Sequence, residues 1–163
     1  MAGFRSGWLV VSGNKRLASD YIEGLNILSS MRMCANVPCQ SAIQTALGGY
    51  QSIDDLVKEN GRLRIQRDVT TDMLNGIDGI SCVKPKGAMY CFAKVDEKKF
   101  NIQNDEQMVL DLLSSEKILL VHGRAFNLTE GPYFRLVFLP HSDVLVPALH
   151  RIGNFFRTYK QGA

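Results

Sequence analysis

Arg135 is the residue whose surroundings demand chemistry. It stands inside the apolar run Tyr133-Phe-Arg-Leu-Val-Phe-Leu139. Strand alternation places it with Tyr133, Val137 and Leu139 on one face and turns Phe134, Leu136 and Phe138 to the other. Either face reads as buried. A guanidinium keeps its proton in such a place, so it needs a carboxylate or phosphate held in its planar fork. Two readings meet that need: an ion pair with an Asp or Glu of the same chain, or an anion site for a ligand's carboxylate. Arg5 is the second candidate. It lies between Gly3 and Gly7, just before an apolar run, where glycine permits close backbone approach and unusual φ. Taken alone, the pattern also suits a solvated surface arginine.

Other reactive types are present without a reactive arrangement. His122, His141 and His150 fall at a strand end, in a turn and within a helix, with no metal-pair or triad spacing, and read as structural or exposed. Cys34, Cys39, Cys82 and Cys91 have no CxxC spacing and no nearby His pair, so they read as buried thiols, not zinc ligands or a disulfide frame. No GxSxG, P-loop, HExxH or GxGxxG sequence occurs, which removes the usual support for hydrolase, NTPase, zinc-protease and dinucleotide readings.

The elements that must hold the two arginines follow from apolar periodicity. Residues 8–11 read as a strand. Asn14 caps a helix whose stripe, Leu17, Ala18, Tyr21, Ile22, Leu25 and Leu28, should face a core. Pro38 opens a second helix closing on Gly48-Gly49, and residues 52–57 and 63–74 form a further helical region ending at Asn75-Gly76. From residue 80 the period becomes two: strands at 80–83 and 89–95 flank a Lys84-Pro-Lys-Gly87 turn. Asn104 and Gln107 make a capping box before a helix that ends near Glu116. Strands at 118–121 and 133–139 and an amphipathic helix with Pro147 in its first turn complete the order. The first strand has no sheet of its own, whereas the second half reads as a two-layer α+β unit.

Length and composition suit this picture. The 163 residues are 45% hydrophobic and 21% charged, a globular mix and not a disordered one. The net charge of +3 is spread among acidic residues, so nucleic acid is not an expected partner. The longest apolar runs fall far short of the about 20 residues of a membrane helix. The N-terminus lacks a secretory apolar region, which makes the cytoplasm the expected compartment.

In chain order, Ala2-Gly-Phe-Arg-x-Gly-Trp8, Ala35-Asn-Val-Pro-Cys-Gln40, Lys84-Pro-Lys-Gly-Ala-Met-Tyr90 and Tyr133-Phe-Arg-Leu-Val-Phe-Leu-Pro140 resemble the C-terminal part of a pyridoxal-phosphate-dependent class I/II aminotransferase of fold type I. The similarity covers essentially the whole chain and is greatest to the bacterial alanine (glutamate–pyruvate) transaminases. The resemblance implies an α/β fold: residues 1–48 would be a strand-plus-helix remnant of the large cofactor-binding domain, and residues 49–163 the small α+β domain. It implies that Arg5 holds the cofactor phosphate and Arg135 grips the substrate α-carboxylate. It further implies amino acid and 2-oxo acid substrates and a homodimer in the full-length enzyme, with residues 36–38 near the dimer interface.

One departure qualifies the match. Family members carry a Ser-Lys pair, its lysine forming the Schiff base with the cofactor, shortly before the phosphate arginine. That position falls upstream of Met1, and no lysine of this chain has the matching context. The expectation is therefore a C-terminal piece that is inactive alone, with no catalytic residue of its own. The alternative is a non-catalytic α+β module that binds carboxylates or a partner protein.

Overall fold

The computed structural model describes residues 2–162; the outer ends of both expected segments, residues 1 and 163, lie outside them. The described chain divides into two compact units that meet between Ser52 and Ile53.

The first unit is helical. A 3-10 turn at Ala2–Phe4 precedes an irregular stretch, and Asn14 accepts a hydrogen bond from the Arg16 amide to start a second 3-10 turn, Lys15–Ala18. Then follow α1 (Ser19–Arg32), α2 (Val37–Ser41) and α3 (Ile43–Gly48), with Pro38 in the first turn of α2 as its fixed φ favours. Two expectations fail here. Residues 8–11 pair with no strand among the described residues, because a strand exists only through a neighbour's hydrogen bonds. The stripe that should face a core is only partly covered: Leu17 is 87% exposed, Ala18, Ile22 and Leu25 are half-buried, and no residue from 3 to 52 is buried.

The second unit has the expected two layers. After Ser52, the first residue of α4 (Ser52–Val57), it continues through α5 (Arg62–Asn75), β1 (Ile80–Cys82), β2 (Tyr90–Val95), α6 (Glu97–Phe100), α7 (Asp105–Glu116), β3 (Val121–His122) and β4 (Tyr133–Val137) to α8 (Ser142–Thr158). The strands form one antiparallel sheet in the order β1-β2-β4-β3. β3 begins three residues later than expected. The capping position before α7 is confirmed, Asn104 Oδ1 accepting from the Glu106 and Gln107 amides. Pro147 lies past the first turn of α8, inside the helix, so this proline removes one intrahelical donor.

Alternation decides which sheet face is covered. Cys91, Ala93 and Val95 of β2 and Phe134 and Leu136 of β4 are buried with Leu74 of α5, Met108 and Leu112 of α7, and Leu149, Ile152 and Phe156 of α8. Phe156 joins the layers, its ring stacking on Phe134 and meeting Phe100 edge-on at 5.1 Å. Tyr90, Phe92, Lys94, Tyr133, Arg135 and Val137 therefore project from the opposite, partly open face.

Candidate functional site

Arg135 occupies the centre of that open face. The register sets Phe92 directly across from it on one side and Val121 on the other. Tyr90 lies on the diagonal, with its ring centroid 4.5 Å from the guanidinium carbon. A second ring comes from the 3-10 turn Gly123–Phe126 after β3, which brings the Phe126 centroid within 4.3 Å. Phe126 is itself braced edge-on by Phe92 at 5.6 Å. The guanidinium thus lies over two aromatic rings at once, contacts that favour the cation.

Among the described residues, nothing pairs with the plane of the fork. Arg135 Nε is buried and makes no hydrogen bond, and no ion pair among the described residues includes Arg135. The internal-ion-pair reading has no carboxylate to support it. A buried unpaired donor on a permanent cation carries a desolvation cost, and a planar carboxylate entering in the plane of the fork would relieve it.

Arg5 belongs to the first unit. It is exposed and takes a left-handed backbone conformation, φ 54°, which is uncommon for a residue with a side chain. A side-chain carbon added at either Gly3 or Gly7 would meet nothing within 4 Å. Asn36 secures the neighbourhood: its Oδ1 caps α2 at the Cys39 amide, while its Nδ2 donates to the Phe4 carbonyl at 3.2 Å. This tie between the start of α2 and the residue before Arg5 was not readable from the sequence, where the two are 32 residues apart.

The loop between β1 and β2 contains Ala88 with φ 56° and is anchored by Lys84. The Lys84 ammonium lies 3.2 Å from Asp68 and 3.8 Å from Asp72 on α5. Although burial raises the Asp68 pKa, its contacts with Arg67 and Lys84 outweigh that and hold it below the usual carboxylate range. The cysteines split. Cys82 and Cys91 are buried as expected, while Cys34 is exposed and Cys39 half-buried, because the first unit has no interior to take them. Cys82 and Cys91 interact on the covered face, which lowers the pKa of the Cys82 thiol and raises that of Cys91. His141 and His150 are exposed.

Sequence reasoning missed one constellation entirely. Asp105 is 2% exposed; its Oδ1 lies 3.7 Å from His122 Nδ1 and 3.6 Å from Arg124 Nε, and its Oδ2 accepts the Arg124 amide. The 17-residue separation of Asp105 and His122 matches no motif, and only the return of β3 beside α7 brings them together.

Residues 1–152 match the family model described as aminotransferase class I and II. The chain is 55% identical over 161 residues to the glutamate-pyruvate aminotransferase AlaA of Haemophilus influenzae, covering 99% of this chain and 40% of that protein. It is 53% identical to the alanine aminotransferase of Mycobacterium tuberculosis, covering 99% and 38%. The crystal structure of an aminotransferase from Escherichia coli superposes with a TM-score of 0.87 at 53% identity, over 98% of this chain and 40% of that one. The chain therefore spans about 40% of the length of these relatives.

Proposed function

The chain belongs to the class I and II aminotransferases, and from that premise we propose that it forms the C-terminal part of a pyridoxal-phosphate-dependent enzyme transferring an amino group between alanine or glutamate and a 2-oxo acid. The observation that carries the reading is Arg135, a caged cation whose buried Nε has no partner. Every donor and acceptor in such a reaction bears an α-carboxylate. Gripping it in the fork fixes the substrate's orientation, and the Tyr90 and Phe126 rings favour the cation.

Arg5 fits the cofactor's phosphate by donor chemistry. A guanidinium beside unobstructed glycine backbone matches a tetrahedral oxyanion. Pyridoxal phosphate, when bound, would supply the electron sink that amino-group transfer needs. The chain's own share is to hold two anions. No Ser-Lys pair occurs in its 163 residues, so the attaching amine is assigned outside them. In this reading residues 1–48 belong to the large domain, residues 49–163 form the small one, residues 36–38 face a dimer partner, and the enzyme works in the cytoplasm. No helix among the described residues is long and apolar enough to cross a membrane.

Titrating the purified chain with pyruvate, followed on the Arg135 Nε–H nuclear magnetic resonance signal, tests the reading. A saturable shift that Arg135→Lys removes is expected; no shift in a folded chain overturns it. The missing Ser-Lys pair also favours a second reading, a carboxylate-binding module without catalysis. Transamination by the longest polypeptide that the gene encodes decides against that module, and its absence there decides for it.

A further inference from the structure

We propose that Asp105 is a positioning residue for the Arg135 anion site, acting through the turn that carries Phe126. The proposal rests on reading Arg135 as a carboxylate holder. Phe126 reaches the guanidinium only because the turn Gly123–Phe126 folds back over β4. A short surface turn has little hydrophobic anchorage of its own, so something must fix it.

Asp105 grips the start of that turn on either side of Gly123. Its Oδ2 accepts the Arg124 amide at 3.2 Å, and its Oδ1 faces both Arg124 Nε and His122 Nδ1. Gly123, between them, sits so close that a side-chain carbon there would lie 2.9 Å from Tyr133 Cβ and 3.3 Å from Asp105 Oδ2. Asn127 closes the turn in a left-handed conformation, its amide donating to the Arg124 carbonyl. The carboxylate is buried on the first turn of α7, and both Asp105 Oδ1 and His122 Nδ1 lack a hydrogen bond within 3.5 Å. A buried charge with an unsatisfied oxygen is costly, and its contacts converge on residues 122–124. The chain of contact runs from the Asp105 carboxylate to the Arg124 amide, along the turn to the Phe126 ring, and from that ring to the face of Arg135.

Hydrogen exchange of the Arg135 Nε–H, assigned by its loss in Arg135→Lys, tests this without any ligand. Losing a charged hydrogen bond of the Asp105 kind should free the turn and speed that exchange by about tenfold or more. Asp105→Ala should produce this change together with faster exchange at residues 123–127, leaving the β2 and β4 amides as protected as before. Asp105→Asn, which keeps an acceptor for the Arg124 amide, should restore most of the protection. Phe126→Ala should speed the Nε–H equally, and Asp105→Ala added to it should change nothing further. The proposal is overturned if Nε–H exchange stays unchanged in Asp105→Ala, if the two substitutions act additively, or if protection falls across the whole sheet. Should Asp105→Ala not fold, Asp105→Ser, too short to reach the amide, is read in the same way. Pyruvate titration of the same proteins is a separate measurement: wild-type chain that ignores pyruvate sinks the carboxylate reading and leaves the latch standing, and unchanged exchange does the reverse.

Discussion

Gln66 on α5 pins the far end of β4: its Nε2 donates to the Phe138 carbonyl at 2.8 Å, with the Leu139 and Pro140 carbonyls also in reach. Gln66 is 1% exposed, and Arg62 completes the clasp by donating to both Gln66 Oε1 and the Leu139 carbonyl. These carbonyls leave the sheet just after the strand that carries Arg135 and have no ladder partners of their own. Gln66→Ala should therefore strand the buried Phe138 carbonyl and cost about 1–3 kcal/mol of unfolding free energy, read by urea denaturation of the chain. A cost below about 0.5 kcal/mol would show that solvent satisfies the strand end.

Arg135 should contribute little net stability. Its buried Nε is unpaired, so the fold carries the desolvation cost and gains only the ring contacts in return. Arg135→Met keeps the apolar stem between Tyr90 and Phe126 and removes the orphan donor. Unfolding free energy should then stay within about 1 kcal/mol of the parent, while carboxylate affinity falls at least about tenfold, as expected for the loss of a charged hydrogen bond. Denaturation and pyruvate titration of one variant check both halves.

Gly79 reports on packing under the first hairpin. Its φ is +93°, and a side-chain carbon there would lie 2.6 Å from the Phe100 ring. Gly79→Ala combines an unfavourable backbone conformation with a clash against a fully packed ring, so it should destabilise the chain by roughly 2–4 kcal/mol. Gly131, with φ +106°, has only Lys94 Cε nearby, at 4.0 Å. Gly131→Ala isolates the backbone contribution, and thermal unfolding of the pair separates the two effects.

The layers of the second unit were legible because one signal, alternation or helical period, fixed both the element and which residues share a face. Phe134 and Leu136 share one face and Arg135 lies on the other, as alternation required, whereas which of two apolar faces stays partly open was settled only by the packing of the helices. The rings over Arg135 were not legible. Phe126 lies nine residues upstream in a turn without periodicity, and its place depends on how β3 returns beside β4. Asp105, the first residue of a capped helix, carried no sequence signal of its contacts with residues 122–124. The Leu17 to Leu28 stripe failed for a related reason: periodicity predicts an apolar face, and only tertiary contacts decide whether anything covers it.

Tyr159 should make stability fall at alkaline pH. Burial chiefly, and then its 2.7 Å hydrogen bond to Asp111 Oδ2, push its phenol well above the ordinary value of 10.0. The folded chain thus keeps a proton that the unfolded chain releases once pH exceeds about 10. The associated stability is present in full below that point and is lost as pH rises through it toward the folded value. Tyrosinate absorbance should show one phenol ionising only with unfolding, and Tyr159→Phe should flatten the decline between about pH 10 and 11. An equally steep decline in the variant would assign the effect elsewhere.

The two units should differ in hydrogen exchange. In the second, Leu74, Cys91, Ala93, Phe134 and Ile152 are fully sealed, and opening the sheet must expose them. In the first, α1 has no side-chain cap, no buried residue and only 14 residues, a length at which an isolated helix is marginal in water. Trp8, Tyr21 and Leu28 of that unit are each 64% exposed, so little apolar burial opposes its opening. Amides of α1 should exchange within the fastest fraction of the chain, and those of β2 and β4 should approach the protection set by global unfolding. Measured at dilution where the chain is monomeric, equal protection in both units would mean that α1 is held by contacts its exposure does not suggest.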